Sequence, residues 1–173
     1  MNNQDIASLK RRFLALILDF IVIVCYCAIL FGVSMLVYNT VLGGIPSFNE
    51  FQMNLVSLTL IVPVVLYSII TESSAKHATL GKRKMKIKVA SMSGQVRLRQ
   101  IVVRNIIKFL PWQLAHMVIF HAFALQWELS PFWSALLIIS TLLPVLWILF
   151  LFRKDRRGLH DLIAGTVVKN MYL

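Results

Sequence analysis

The chain has 173 residues, 58% of them hydrophobic and 14% charged, where an ordinary soluble domain carries roughly 25% charged residues. Its 18 Lys and Arg outweigh 7 Asp and Glu, for a formal net charge of +11. This composition argues against an ordinary soluble enzyme, and the placement of the charge selects a membrane surface over nucleic acid as the partner of the basic residues.

All the basic residues lie in three islands, 10–12, 76–108 and 153–169, separated by 63 and 44 residues with no Lys or Arg. A hydrocarbon core about 30 Å thick takes about 20 apolar residues per helix. The first gap therefore fits two crossings and a loop, and the second fits two shorter crossings and a tight turn. The predicted spans are 13–38, 55–71, 111–126 and 132–152, within a single membrane domain over 1–173. The first apolar run, about 26 residues long, exceeds a signal-peptide core and lacks an Ala-x-Ala-like site, so it is expected to be retained. Cys25 and Cys27 point roughly 200° apart on one helix, which suits neither a mutual disulfide nor a metal site.

An even number of crossings puts both termini, the loop 72–110 and the tail 153–173 on one side. The positive-inside rule makes that side the cytoplasm of a cell membrane. The expected fold class is an all-α membrane protein whose four transmembrane helices form two hairpins. Between helices 2 and 3, Met85, Ile87 and Val89 alternate with Lys84, Lys86 and Lys88. Ser93-Gly94 then offers a turn, and Val96 and Leu98 alternate with Arg97 and Arg99. That pattern predicts a basic cytoplasmic β-hairpin. From Gln100 to Leu110, Arg104 and Lys108 share one face of an apolar stretch, which predicts an interfacial helix ahead of Pro111.

Asp19 is the costly residue. It lies roughly 9 Å into the first span, where insertion scales charge about 2.5 to 3.5 kcal/mol for a carboxylate at the helix centre and somewhat less nearer the edge. Arg12 is on the same helical face, but two turns away and leaning toward the head groups, so a direct bond looks strained. Gln113 and His116, three apart on the third span, are the expected partners, and Asp19, Gln113 and His116 form a candidate transport path. Lys82, Arg83, Lys84, Lys86, Lys88, Arg97, Arg99 and Arg104 are candidate ligands for anionic lipid head groups.

The Arg12 to Asp19 spacing, the segment Ala78-Thr79-Leu80-Gly81-Lys82-Arg83-Lys84-Met85-Lys86-Ile87-Lys88-Val89, the pair Arg104-Asn105, and Asp161 within 157–168 together resemble the RDD family of membrane proteins. The resemblance runs from about Lys10 to Lys169, with Arg12, Asp19 and Asp161 as the family's signature residues. Four spans exceed the family's minimal core of two. The resemblance implies a membrane protein for which transport of unidentified ligands or ions has been suggested.

Residues alone leave two function classes open. One is a carrier of an ion or small solute, expected to be a homo-oligomer because four helices enclose little space, with Arg12 and Asp161 as a cytoplasmic gate. The other is an accessory or scaffold protein that binds anionic lipid or a partner through its basic face. No pair of carboxylates in one span, Cys-x-x-Cys, His-Glu-x-x-His or Gly-x-Ser-x-Gly is present, so no catalytic residue, metal or cofactor is expected.

Overall fold

The structure, a computed structural model, describes residues 5–171. Four helices are long and apolar enough to cross a membrane: α1 (Leu9–Thr40), α2 (Glu50–Ser73), α4 (Leu98–Ala124) and α5 (Pro131–Phe150). Between and after them lie the short helices α3 (Leu80–Lys84) and α6 (Leu159–Ala164) and the strands β1 (Ile87–Ser91) and β2 (Thr166–Asn170). Each predicted span falls on one long helix, but α4 starts 13 residues earlier than its predicted span, at Leu98.

Local sequence accounts for the helix limits. Asn49 and Gln52 form a reciprocal capping box that starts α2, and Pro131 occupies the first turn of α5, where a missing N–H costs nothing. Pro111 lies inside α4 rather than at its start. The separate interfacial helix expected before it is instead the first half of one continuous helix. A proline is tolerated there because neighbouring helices and local adjustments re-satisfy the backbone in a membrane bundle.

The bundle is centred on α4, which packs against α2, α5 and α6. The backbone of α1 comes closest to α3. Contact between α1 and α2 includes the Tyr26 hydroxyl donating to the Thr59 carbonyl at 2.5 Å. The first pair is therefore not the tightly packed hairpin that a short connection suggests. Apolar side chains such as Phe31, Leu36, Phe51 and Ile148 are largely exposed, as lipid-facing surface requires.

The expected β-hairpin does not form. β1 pairs antiparallel with β2, in register from Ile87 opposite Asn170 to Ser91 opposite Thr166, and Ile6 bridges to Lys169 at the edge. Leu98 and Arg99, read as strand, begin α4. The alternation in β1 is real, with Ile87 and Val89 buried and Lys88 exposed. Its buried face closes over Ala7, Ala15 and Val168. The N-terminal segment, β1 and the C-terminal strand thus form one small lid on the end of the bundle where α1 begins.

Candidate functional site

Three arrangements of polar groups stand out against the apolar helices. The first surrounds Asp19, which with Ala15 is one of two buried residues of α1. The Thr79 hydroxyl donates to Asp19 Oδ2 at 2.6 Å and the Gly81 N–H to Oδ1 at 2.8 Å. The Tyr67 hydroxyl donates more weakly to Oδ1 at 3.5 Å while accepting from the Leu80 N–H at 3.0 Å. These bonds tie α3 to α1. Gly81 is required by this contact: a Cβ there would collide with the Ala15 carbonyl and lie 2.9 Å from the Asp19 carboxylate.

The partners expected for Asp19 lie elsewhere. Gln113 Nε2 donates to Ser57 Oγ at 3.5 Å, and His116 Nδ1 lies 2.7 Å from the carbonyl of Trp112 on its own helix. Asp19 instead meets the middle motif, because the loop after α2 folds back to deliver Thr79 and Gly81.

The second arrangement is a chain of buried charges that joins α2, α3, α4 and α6. Arg104 is 3% exposed; its Nη1 reaches both carboxylate oxygens of Glu72 at 2.8 Å, and its Nε reaches Asp161 Oδ1 at 2.8 Å. Lys82 pairs with Glu72, and Asn105 Nδ2 donates to Glu72 Oε2 at 2.9 Å. Thr166 Oγ1 donates to Asp161 Oδ1 at 2.8 Å. The guanidinium fork suits this bridging, since one rigid group can serve two carboxylates.

Arg12 closes the chain loosely. Its Nη1 is 4.0 Å from Asp161 Oδ2, while its firmer bonds go to the carbonyls of Arg156 at 2.5 Å and Val168 at 3.0 Å. His160 Nε2 lies 3.5 Å from Asp161 Oδ2.

Outside the long helices the electrostatics have clear directions. Burial pushes the Asp161 carboxyl up, but the positive charges of Arg104, foremost, and of Arg12 outweigh it and hold the group well below the usual carboxylate range. Burial, reinforced by repulsion from Arg104, lowers the Lys82 ammonium in spite of Glu72. Burial also pushes the His160 imidazole down to about 3, so it stays neutral beside Asp161.

Lys82 and Arg104 are therefore committed inside the protein and cannot reach lipid head groups. Arg83 is partly committed, with Nε on the Ala78 carbonyl at 2.9 Å and Nη2 on Ser74 Oγ at 3.2 Å. Lys84, Lys86, Lys88, Arg97 and Arg99 remain exposed. Glu72 is the central residue that reading the sequence overlooked. The available signal was an acid at the edge of an apolar run, preceding a motif rich in cations.

The third arrangement runs along the seam between α2 and α4. Glu50, Asn54, Ser57, Ser68 and Glu72 recur at spacings of three, four and eleven, close to whole helical turns, and so share one face of α2. Across the seam, His121 Nδ1 lies 3.0 Å from Glu50 Oε1, Gln113 reaches Ser57, and Asn105 reaches Glu72. Glu50 and Glu72 are about 33 Å apart by helical rise, comparable with a hydrocarbon core about 30 Å thick.

Three amide oxygens on this seam, Asn54 Oδ1, Gln113 Oε1 and Asn105 Oδ1, are buried without a hydrogen-bond partner among the described residues. Rotating the amides would not rescue them. Asn54 Nδ2 already donates to the Glu50 carbonyl at 2.9 Å. Ser57 Oγ spends its hydrogen on the Asn54 carbonyl at 2.7 Å, so Gln113 must offer it an N–H. Asn105 must likewise turn its N–H toward the Glu72 carboxylate. A buried unsatisfied polar group costs about 1–3 kcal/mol, so donors or positive charge are needed at each.

No curated protein and no solved structure matches this chain. The RDD family matches over residues 6–165, nearly the whole chain, which takes in Arg12, Asp19, Arg104 and Asp161 as well as all four long helices. The chain belongs to the RDD family and is a multi-pass membrane protein.

Proposed function

We propose that this protein moves protons or a small cation across the cell membrane, with the α2–α4 seam as the polar route. The observation that carries this reading is the run of polar contacts along one helix interface, from Glu50 and His121 at one end to Glu72 and Asn105 at the other. Polar and ionisable side chains are expensive inside a bilayer and mark ion pathways by default. The end bearing Glu72, Arg104 and Asp161 faces the cytoplasm, since the termini and the basic islands gather there.

On this reading the buried charge chain is the inner gate, closed in the conformation described here. Asp19 leaves the path and becomes the anchor that holds α3, and with it Lys82, against Glu72. Opening requires Lys82 or Arg104 to release Glu72, whose carboxylate can then take the transported proton or cation. Two or more copies would supply the remaining walls of the route.

The test is flux in proteoliposomes under an imposed pH or cation gradient. Wild type should carry current or protons, and Gln113→Leu, which removes a seam amide without touching the charge chain, should lower flux at least tenfold. Wild-type flux in that variant would take the seam out of the mechanism.

A second reading rests on a separate observation, a group of exposed cations that includes Lys84, Lys86, Lys88, Arg97 and Arg99. Each cation near an anionic surface contributes about 1 kcal/mol, screened by salt. A scaffold that grips anionic lipid through them would show salt-sensitive retention of anionic lipid in mixed nanodiscs and no flux. Equal retention of neutral lipid would rule that out.

A further inference from the structure

We propose that the seam contains a binding site for one small monovalent cation between Asn54, Ser57 and Gln113, in the half of the bundle away from the charge chain. The proposal deepens the transport reading and rests on it for its role, though not for its existence. Asn54 Oδ1 and Gln113 Oε1, unpartnered among the described residues, have one sign: both are buried carbonyl oxygens, and each amide already directs an N–H elsewhere. The hydrogen of Ser57 Oγ is spent on the Asn54 carbonyl, which leaves its lone pairs for Gln113 or an ion. Three oxygens with lone pairs to spare suit a cation stripped of part of its water.

Charge decides the valence. Glu50, one turn from Asn54 on the same face of α2, is the nearby carboxylate on this helix, and it is shared with His121 at 3.0 Å. One carboxylate can balance one positive charge; hard divalent ions need more oxygen ligands and more negative charge than this seam provides. The Glu50–His121 pair also lies at the loop end of the seam, where α2 begins and α4 ends. A cation entering from that side meets Glu50 first and displaces His121 from it. The amide oxygens then take the ion one to two turns deeper.

The charge chain sits far off, and Lys108, five residues from Gln113 along α4, carries its Nζ over the Phe109 ring, 4.8 Å from the centroid. Glu72, with its cations Lys82 and Arg104, is fifteen residues along α2 from Ser57, about 22 Å by helical rise. The positive charges of the gate therefore do not repel an ion at Asn54.

The experiment uses the full-length protein purified in detergent, with sodium as the probe and choline as the inert cation at constant ionic strength. Thermal unfolding and radiolabelled sodium binding are measured on wild type, Asn54→Leu, Gln113→Leu and Gln113→Glu. Saturable sodium binding and sodium-dependent stabilisation are expected in wild type. Each leucine variant should bind at least tenfold more weakly and be more stable than wild type in choline, because an orphaned oxygen is gone. Gln113→Glu should bind more tightly.

If wild type shows no saturable binding while the leucine variants still gain stability in choline, the oxygens hold water and the proposal is overturned. Undiminished binding in both leucine variants overturns it too. Saturable binding that the leucine variants lose, in a protein with no flux, upholds the site and removes only the transport role. Flux without binding at the seam does the reverse.

Discussion

The two ends of the same α2–α4 interface are built on opposite rules. At the charged end, Glu72 is fully buried and takes bonds from Arg104, Lys82 and Asn105. In the other half, Asn54 and Gln113 keep oxygens with no partner among the described residues, and the Glu50–His121 pair is part exposed. The charged end leaves Asn105 Oδ1 over as well, but beside ion pairs in which acids and cations already meet, whereas the other half leaves two acceptors over with no Lys or Arg bonded to them. Acceptors left over in a bilayer call for a donor or a cation, whereas paired charges are accounted for by assembly alone.

The largest break in this contrast should come from Arg104. Arg104→Met leaves Glu72 and Asp161 buried without their shared cation, which costs about 3–5 kcal/mol for a broken buried pair. Unfolding of the variant in detergent should therefore be shifted strongly downward. Arg104→Lys should recover only part of the loss, because a single ammonium cannot span both carboxylates as the guanidinium fork does. Equal stability of wild type and Arg104→Met would mean that Lys82 and Arg12 already suffice.

Next in size are the two sides of the Asp19 contact. Gly81→Ala puts a methyl group against the Ala15 carbonyl, and the overpacking should cost about 1–3 kcal/mol. Asp19→Asn can still accept the Gly81 N–H and should fold nearly normally, whereas Asp19→Leu removes the acceptor for Thr79 and Gly81 together and should release α3. Limited proteolysis between residues 76 and 86 reads this directly. Unchanged protection in Asp19→Leu would show that β1 alone holds the segment.

A smaller effect concerns pH. His160 has its pKa lowered from 6.5 to about 3 in the folded protein, so the unfolded chain binds its proton first as pH falls. The stability it lends is complete above about 6.5 and is lost progressively as pH drops toward 3. Asp161, also lowered, adds its own loss only below about 3.8. His160→Gln should therefore flatten the stability profile between pH 6.5 and 4 and leave the steeper fall below 4. A profile with the same slope in both proteins would locate the acid sensitivity in other groups.

Particular residues show how far the sequence could be read. The four long helices were legible because gaps free of Lys and Arg are a direct imprint of the bilayer's cost for charge. The strand at 87–91 was legible from its alternation. Its partner was not, because Ser93-Gly94 invites a local turn while β2 lies some 75 residues away, and alternation carries no information about distant pairing. Lys82 and Arg104 were read as ligands for lipid head groups for a related reason. Counting charges places a residue on a side of the membrane but says nothing about burial, and only the folded loop reveals that Glu72 waits between them. The seam was half visible: Gln113 was marked as polar within a span, and its partner proved to be Ser57 rather than Asp19.

The weakest expected effect tests the pair that the family signature most suggests. Arg12 and Asp161 meet only at 4.0 Å, and Arg12 is held mainly by the carbonyls of Arg156 and Val168. Exchanging the charges, Arg12→Asp with Asp161→Arg, would set a carboxylate against two carbonyl oxygens and a second guanidinium beside Arg104. The exchange should therefore fail to rescue either single variant, although the two residues are neighbours. A double-mutant cycle with the uncharged variants Arg12→Gln and Asp161→Asn avoids that repulsion and should give a coupling of about 1 kcal/mol or less. A coupling several times larger would mean that the pair closes to direct contact in the membrane. Arg12 would then belong to the charge chain rather than to the lid that covers it.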